Sequence, residues 1–235
     1  MNNDILAETF ASLSTPLIAD ACMKAGVPVR VAPLGISPLT ARTRLAGRVL
    51  PAKHYGSVDI FLEAVETTER GDILVIDNQG RTDEGCIGDL TTLEAQAAGI
   101  AGIIIWGAHR DTSELIEIDC PVFSYGSCPA GPQRLDRRET NALERVAFGS
   151  LIVGRDDAVF ADSDGVIFIP FETSNELLMT ARSIWERERD QAEGLRTGVS
   201  LREQFRFKRF LEKRTDDPSY TFRQHLREMG GAIEE

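Results

Sequence analysis

Two apolar runs without polar interruption stand out along the chain, Ile73-Leu74-Val75-Ile76 and Ile103-Ile104-Ile105-Trp106. Continuous β-branched runs of this length predict strands buried on both faces. A stretch with helical character precedes each: Ser57 to Thr67 before the first, then Leu90, Leu93 and Ala97 before the second. Gly99 closes the latter helix, because glycine tolerates the left-handed backbone of a helix C-terminus. Helix followed by strand, twice over, favours a partly parallel sheet joined by crossovers. Leu45 to Pro51, Pro121 to Ser124, Leu151 to Val153, Ala158 to Ala161 and Val166 to Ile169 read as further strands. The last two are joined by Ser163-Asp164-Gly165, whose Asp-Gly suits a hairpin.

Helices flank this sheet in the sequence. Asp4 is placed to cap a helix through Ile5, Leu6, Phe10 and Leu13, and Thr15-Pro16 opens a second that ends near Gly26. The segment from Val27 to Thr43, with Pro28, Pro33, Gly35 and Pro38, reads mostly as loop. Beyond the sheet, Thr173 with Glu176 has the form of a capping box, ahead of an apolar stripe of Leu177, Leu178, Ala181, Ile184 and Trp185. Ser200 and Glu203 begin another capped helix carrying Leu201, Phe205, Phe210 and Leu211. A last helix spans about Tyr220 to Met229 and holds His225, expected to be structural. These roughly 35 terminal residues are too few to bury their aromatics alone, so they are expected to clasp the body or an adjacent subunit.

Composition narrows the function. At 235 residues and 42% hydrophobic content the chain suits one domain with an appendage. A net charge of −11 argues against a nucleic-acid partner, which demands clustered Lys and Arg. Arg134, Arg137 and Arg138 interrupt the acidic chain and read as a solvated basic patch. The start, MNNDILAETF, lacks the basic and long apolar regions of a signal peptide, and no stretch reaches membrane-spanning length. The expectation is a cytoplasmic protein with no membrane contact. Cys22, Cys86, Cys120 and Cys128 form no CxxC pair and are expected to be buried or incidental thiols, with Cys86 nearest the candidate site. Lys53 is expected to be exposed and His54 satisfied.

The candidate chemistry lies around the second apolar run. Asp89 opens its helix, and His109, Arg110 and Asp111 occupy the turn at the C-terminal end of the strand, where open α/β sheets place ligands. A crossover brings the helix N-terminus back beside that turn, with its free N–H groups and dipole forming an anion site. Asp89, Arg110 and Asp111 would then converge on a small carboxylate with a divalent cation, the Arg forking onto the anion and the Asp supplying a hard oxygen. On spacing alone an equal alternative stands, in which Asp89 is only an N-cap and Arg110-Asp111 only a surface turn pair. Lys24, Lys53, Lys208 and Lys213 all lie outside the Asp89 to Asp111 block, so a Schiff-base mechanism has weak support.

Asp89, twenty intervening residues, then Arg110-Asp111 resembles the Asp-x20-Arg-Asp signature of the RraA-like family, which includes the 4-hydroxy-4-methyl-2-oxoglutarate aldolases. Gly88-Asp89-Leu90, Gly99-x-x-Gly102, Gly107-x-x-Arg110-Asp111 and Asp162-Ser163-Asp164-Gly165-Val166 with Pro170 look similar to that family too, over roughly residues 15 to 200. Departures are Gly47-Arg48-Val49-Leu50-Pro51, which keeps only the glycine of Gly-x-Ala-x-Thr, and Arg155-Asp156-Asp157 in place of Pro-Gly-Asp. Trp106 and His109 differ from the common family version and bear on substrate choice.

The resemblance implies an α/β fold, a three-layer β/β/α swivelling domain over residues 1–171 with flanking N-terminal helices, and a C-terminal helical arm over 172–235. It implies a homotrimer or homohexamer with sites near subunit interfaces. It also implies a lyase that breaks a C–C bond of a 2-oxo acid through a pyruvate enolate. The reactions are retro-aldol cleavage of 4-hydroxy-4-methyl-2-oxoglutarate, decarboxylation of oxaloacetate, or both. On this basis Asp111 holds Mg²⁺ or Mn²⁺, and Glu188 of the C-terminal helix reaches a neighbouring subunit's metal site. Arg110 binds the 2-oxo oxygen, the N–H groups around Gly88, Asp89 and Leu90 hold the substrate carboxylate, and Asp89 works through a water on the C4 hydroxyl proton. The alternative the family offers is a non-catalytic protein that binds and inhibits a ribonuclease, for which the acidic charge would suit a basic partner.

Overall fold

The computed structural model describes residues 2–229. Its main sheet has eight strands: β1 (Arg30–Val31), β2 (Ser37–Pro38), β3 (Leu45–Lys53), β4 (Ile73–Gly85), β5 (Gly102–Ala108), β6 (Val122–Ser124), and β9 (Asp157–Asp162) and β10 (Gly165–Pro170). The spatial order is β1-β10-β9-β3-β4-β5-β6-β2. β3, β4, β5 and β6 run parallel, and β9, β10 and β1 extend the sheet antiparallel on one side. Between them in sequence, β7 (Arg145–Phe148) and β8 (Leu151–Gly154) form a separate hairpin. The sheet thus takes β8 out of the series expected for it, and the loop expected over 27–43 supplies the short β1 and β2.

Helices cover one face of the sheet in two groups. α3 (Asp59–Val65), α4 (Asp89–Ala97) and α5 (Thr112–Ile118) lie on the parallel half, where Ile60, Phe61, Ala95 and Leu115 pack on Leu50, Leu74, Ile76, Ile103 and Ile105. α1 (Asn3–Phe10), α2 (Thr15–Ala25) and the first half of α6 (Ser174–Arg196) lie on β9 and β10. The alternate residues of both halves, among them Val49, Val75, Ile104, Val159 and Phe168, share a third cluster with Phe148 and Val153 of the β7–β8 hairpin. One face therefore meets helices and the other meets strands, as the β/β/α layering requires. Gly47 sits where β3 passes close to a neighbouring turn, for a Cβ there would come within 2.5 Å of the Gly71 carbonyl.

Several helix ends differ from expectation. Asn2, not Asp4, caps α1, its side-chain oxygen accepting from the Ile5 N–H at 3.0 Å, while Asp4 sits in the first turn. Thr15 ties α2 to the β9–β10 hairpin instead of capping it, its N–H and hydroxyl donating to the Asp162 carboxylate at 2.8 and 2.7 Å. The Thr173–Glu176 capping box does not form, because a 3-10 turn over Phe171–Thr173 points the Thr173 hydroxyl at the Pro170 carbonyl. Ser200 and Glu203 do make their reciprocal capping bonds. The helix they start is α7 (Leu201–Gln204), and it breaks at Arg206, whose left-handed backbone (φ 47°) turns the chain into α8 (Phe207–Asp216).

The last helix is α9 (Phe222–Met229). Within one chain, Phe205, Phe207, Phe210, Tyr220, Phe222 and His225 pack on one another. α6 shares the body core up to Ile184. Among the described residues no helix is long and apolar enough to cross a membrane.

Candidate active site

β4 continues beyond its apolar run through two register shifts, with Gln79 and Gly80 both left-handed (φ 57° and 68°). This irregular stretch brings Gly85 opposite Ala108 of β5. The Cys86 N–H donates to the Ala108 carbonyl (3.0 Å), and the Arg110 N–H to the Ile87 carbonyl (2.9 Å). Those two bonds hold the residues entering α4 beside the turn leaving β5, so Asp89 and Arg110-Asp111 meet as the spacing predicts.

Asp111 stands ahead of α5 in a left-handed conformation (φ 58°, ψ 44°), unusual for a residue with a side chain. Its carboxylate makes no capping bond to α5 and turns to the site. Asp111 Oδ2 accepts from the Asp89 N–H at 3.4 Å and lies 3.3 Å from Arg110 Nε. Gly88 leaves room for this arrangement, since a Cβ there would sit 2.0 Å from the same Oδ2. The Arg110 side chain is 47% exposed and that of Asp111 34%, so their mutual attraction is screened and both can engage a ligand. Arg110 also lies over Gly131, where a Cβ would come within 2.9 Å of its Nη1.

The amides of the α4 N-terminus are not free donors, as expected of them. The Leu90 N–H donates to Asp89 Oδ1 at 2.7 Å, the Asp89 N–H to Asp111, and the Gly88 N–H to Thr91 Oγ1 at 3.2 Å. Side chains of the chain itself thus fill the anion site, because the short Asp and Thr side chains reach the first-turn donors. A substrate carboxylate at Leu90 would take over a position that a carboxylate already holds.

His109 is buried between Ser124 Oγ (2.7 Å from Nδ1) and Thr112 Oγ1 (3.1 Å from Nε2). Burial lowers its pKa, opposed by the Asp111 charge, so it is a neutral support for the turn. Cys86 is buried too, and burial pushes its thiol well above the usual range, with the Glu84 carboxylate adding to the effect; it is no nucleophile at neutral pH.

Behind Gly85 lies a buried polar cluster that the hydrophobic pattern gave no reason to expect. Glu84 Oε1 accepts from Arg134 Nε and Nη2 at 3.1 and 3.0 Å, and Arg134 Nη2 also donates to Asn78 Oδ1 at 2.9 Å. His54 Nδ1 bonds the same Asn78 oxygen at 2.8 Å, and the ring stacks on Phe61. His54 is therefore only half satisfied, because its buried Nε2 has no partner. Burial lowers its pKa. Arg134 is no part of a solvated patch, while Arg138 pairs with Glu63 and Lys53 with Glu139. The signal available in the sequence was the polar run Asp77 to Glu84 directly after the apolar Ile73 to Ile76.

Glu188 sits half-buried on α6, which packs with α2, away from the α4–α5 layer. Within one chain it does not join Asp89 and Asp111. Among the described residues no three His, Cys, Asp or Glu side chains gather as a closed metal cage.

The family model described as Aldolase/RraA matches residues 15–168. A relative from Alcanivorax borkumensis, which carries the provisional name 4-hydroxy-4-methyl-2-oxoglutarate aldolase, is 30% identical over 129 residues, 55% of this chain and 79% of its own. An uncharacterised protein from Pseudomonas syringae pv. tomato of known structure superposes with a TM-score of 0.73 at 23% identity, over 85% of this chain and 96% of that one. A Streptomyces coelicolor structure, an unusual member of the RNase ES inhibitor RraA family, superposes with a TM-score of 0.69 at 23% identity, over 79% and 94% of the two chains.

Proposed function

From the premise that this chain belongs to the RraA-like family, we propose that it is a divalent-metal-dependent lyase that breaks a C–C bond of a 2-oxo acid through a pyruvate enolate. The observation that carries this reading is the meeting of Arg110, Asp111 and the α4 N-terminus at one accessible spot. The provisional aldolase names of relatives support it.

The donor set suits a hard cation. Asp111 offers one accessible carboxylate in a cradle that Gly88 keeps clear, and Mg²⁺ is commonly held by one or two carboxylates with water and substrate completing its shell. Asp111 would hold Mg²⁺ or Mn²⁺, which when bound supplies Lewis-acid stabilisation of developing oxygen charge. Glu188 from an adjacent subunit is the second candidate ligand.

Arg110 donates to the 2-oxo oxygen, whose charge grows as the bond breaks, so its contribution is greatest in the transition state. The Leu90 and Asp89 amides receive the substrate's C1 carboxylate in exchange for the side-chain carboxylates they now hold. Freed from Leu90, Asp89 takes the C4 hydroxyl proton through a water. The C3–C4 electron pair then becomes the enolate, C4 becomes a ketone, and protonation at C3 yields pyruvate. With 4-hydroxy-4-methyl-2-oxoglutarate both products are pyruvate; with oxaloacetate the departing fragment is carbon dioxide and the enolate is the same.

Pyruvate release from these two compounds, with Mg²⁺ and with excess EDTA, tests the reading. Metal-dependent release from either supports it, and the ratio ranks the substrates. The second reading, a ribonuclease-binding inhibitor, has the net charge of −11 in its favour as a match for a basic partner surface. Ribonuclease inhibition by a protein inert toward both acids would reverse the order.

A further inference from the structure

At the N-terminal end of the parallel strands, away from the candidate site, the chain holds an open cavity of about 430 Å³. Leu45 and Ala46 open β3 beside it, Ala101 immediately precedes β5, and Pro121 immediately precedes β6. The candidate site lies past the other end of β5, whose 7 residues at about 3.3 Å each put roughly 20 Å between the two places. A molecule held in this cavity touches none of Asp89, Arg110 or Asp111.

The wall of the cavity is apolar. Phe10 at the end of α1 and Leu45 are buried, with 1% and 5% of their surface exposed, and Pro121 lies beside them. Space remains because the other positions are small: Ala7 and Ala11 on the helix side, Ala46 and Ala101 on the sheet side, each present only a methyl group. Small-molecule sites commonly take this form, an apolar wall with a few placed polar groups.

The polar groups here are two guanidiniums, Arg42 and Arg44, and no carboxylate joins them in the lining. Elsewhere the cations of this chain find acidic partners, as Arg30 does in Asp157, Lys53 in Glu139 and Arg138 in Glu63. Neither Arg42 nor Arg44 enters an ion pair among the described residues, and both are exposed. Arg44 Nη1 donates to the Ala11 carbonyl at 2.6 Å, which anchors the side chain across the end of α1 and leaves Nε and Nη2 for a ligand. Arg42 is the third residue of a turn closed by the Thr43 N–H on the Thr40 carbonyl at 3.3 Å. Its backbone is left-handed there (φ 66°), where glycine or asparagine is usual. In a chain of net charge −11 the long-range field repels anions, so an anion is recruited only where cations stand uncompensated.

We propose that this cavity binds a monocarboxylate with an apolar tail, of the class of medium-chain acids. The carboxylate takes charge-assisted hydrogen bonds from Arg42 and Arg44, and the tail covers the apolar wall and removes it from water. An alcohol of the same length loses the ionic contact. A dicarboxylate would press its second charge against Phe10 and Leu45, at a desolvation cost that nothing in the wall offsets. The inference rests on the cavity and its two arginines and does not depend on the chemistry assigned to the candidate site.

Equilibrium dialysis of radiolabelled octanoate against the full chain tests it. The proposal expects saturable binding that excess unlabelled octanoate displaces and that equal concentrations of octanol or succinate do not. Kd should rise about tenfold or more in Arg42→Gln/Arg44→Gln, the loss of hydrogen bonds to a charged group, and recover in large part in Arg42→Lys/Arg44→Lys. Ala7→Trp, on the exposed side of α1, keeps both arginines and fills the space, and should abolish binding. Arg110→Ala should leave Kd unchanged, because the candidate site is elsewhere. Absence of saturable binding by the folded wild type would overturn the proposal. So would displacement by octanol as effective as by octanoate, an unaltered Kd in both the glutamine and tryptophan variants, or loss of binding in Arg110→Ala.

Discussion

At the scale of single residues, the site stands on the fit between Gly88 and Asp111. Because a Cβ at residue 88 would lie 2.0 Å from Asp111 Oδ2, Gly88→Ala must push that carboxylate aside. We expect kcat/KM for pyruvate release to fall about 100-fold while the unfolding midpoint barely moves, since misplacement of a catalytic group by about 1 Å costs that much. Arg110→Lys keeps the charge and loses the planar fork, and is expected to cost about 100-fold or more in kcat. Asp111→Ala should leave a residual rate that added Mg²⁺ no longer raises, measured by metal titration of activity. That Asp89, Arg110 and Asp111 meet was legible in the sequence because their spacing is the length of one helix, one strand and the turns between; their catalytic roles were read only from the resemblance. That the amides of Asp89 and Leu90 would already be occupied was not legible, for it depends on the left-handed backbone of Asp111 and on side-chain torsions that no periodicity records.

At the scale of elements, β4 decides how the site is supported. Its bulged second half carries Glu84 under Gly85, and Glu84 with Arg134 pins the loop that brings Gly131 to Arg110. The Glu84 and Arg134 side chains are 4% and 13% exposed, and Glu84→Ala leaves the guanidinium with Asp136 and Asn78 as partners. The expected loss is about 2 kcal/mol of stability by urea denaturation, the usual cost of removing a hydrogen bond to a charged group. The buried histidines set a pH limit. Burial depresses the pKa of both His54 and His109 below the ordinary 6.5, so the unfolded chain binds more protons than the folded one as pH falls through that value. Stability is fully present above about pH 6.5 and is expected to decline from there toward pH 5, read as a falling thermal midpoint; His109→Asn should flatten part of that slope. Uninterrupted apolar runs made β4 and β5 readable, and Gly26 marked the end of α2. β7, α5 and the break at Arg206 went unread, the last because a lone left-handed arginine leaves no periodic trace.

At the scale of the whole molecule, the alternation of helix and strand foretold a partly parallel sheet with helices on it, and the resemblance foretold the layering. The strand order, in which β9 returns to lie against β3, joins segments more than 100 residues apart and follows from no local pattern. The arm was read as too small to bury its own aromatics; its six aromatic side chains pack mostly edge-on or tilted against one another, and Phe205, Phe210 and His225 are buried while Phe207, Tyr220 and Phe222 stay half-buried. The central claim, that Arg110 and Asp111 stabilise a pyruvate enolate, does not require the physiological substrate to be known. It is tested most directly by proton NMR of pyruvate in D₂O, since an enolate-forming site exchanges the methyl protons for deuterium. The account predicts exchange by the wild type with Mg²⁺, abolished by EDTA and by Arg110→Ala. Exchange no faster than in buffer, or exchange untouched by loss of the arginine, would contradict it.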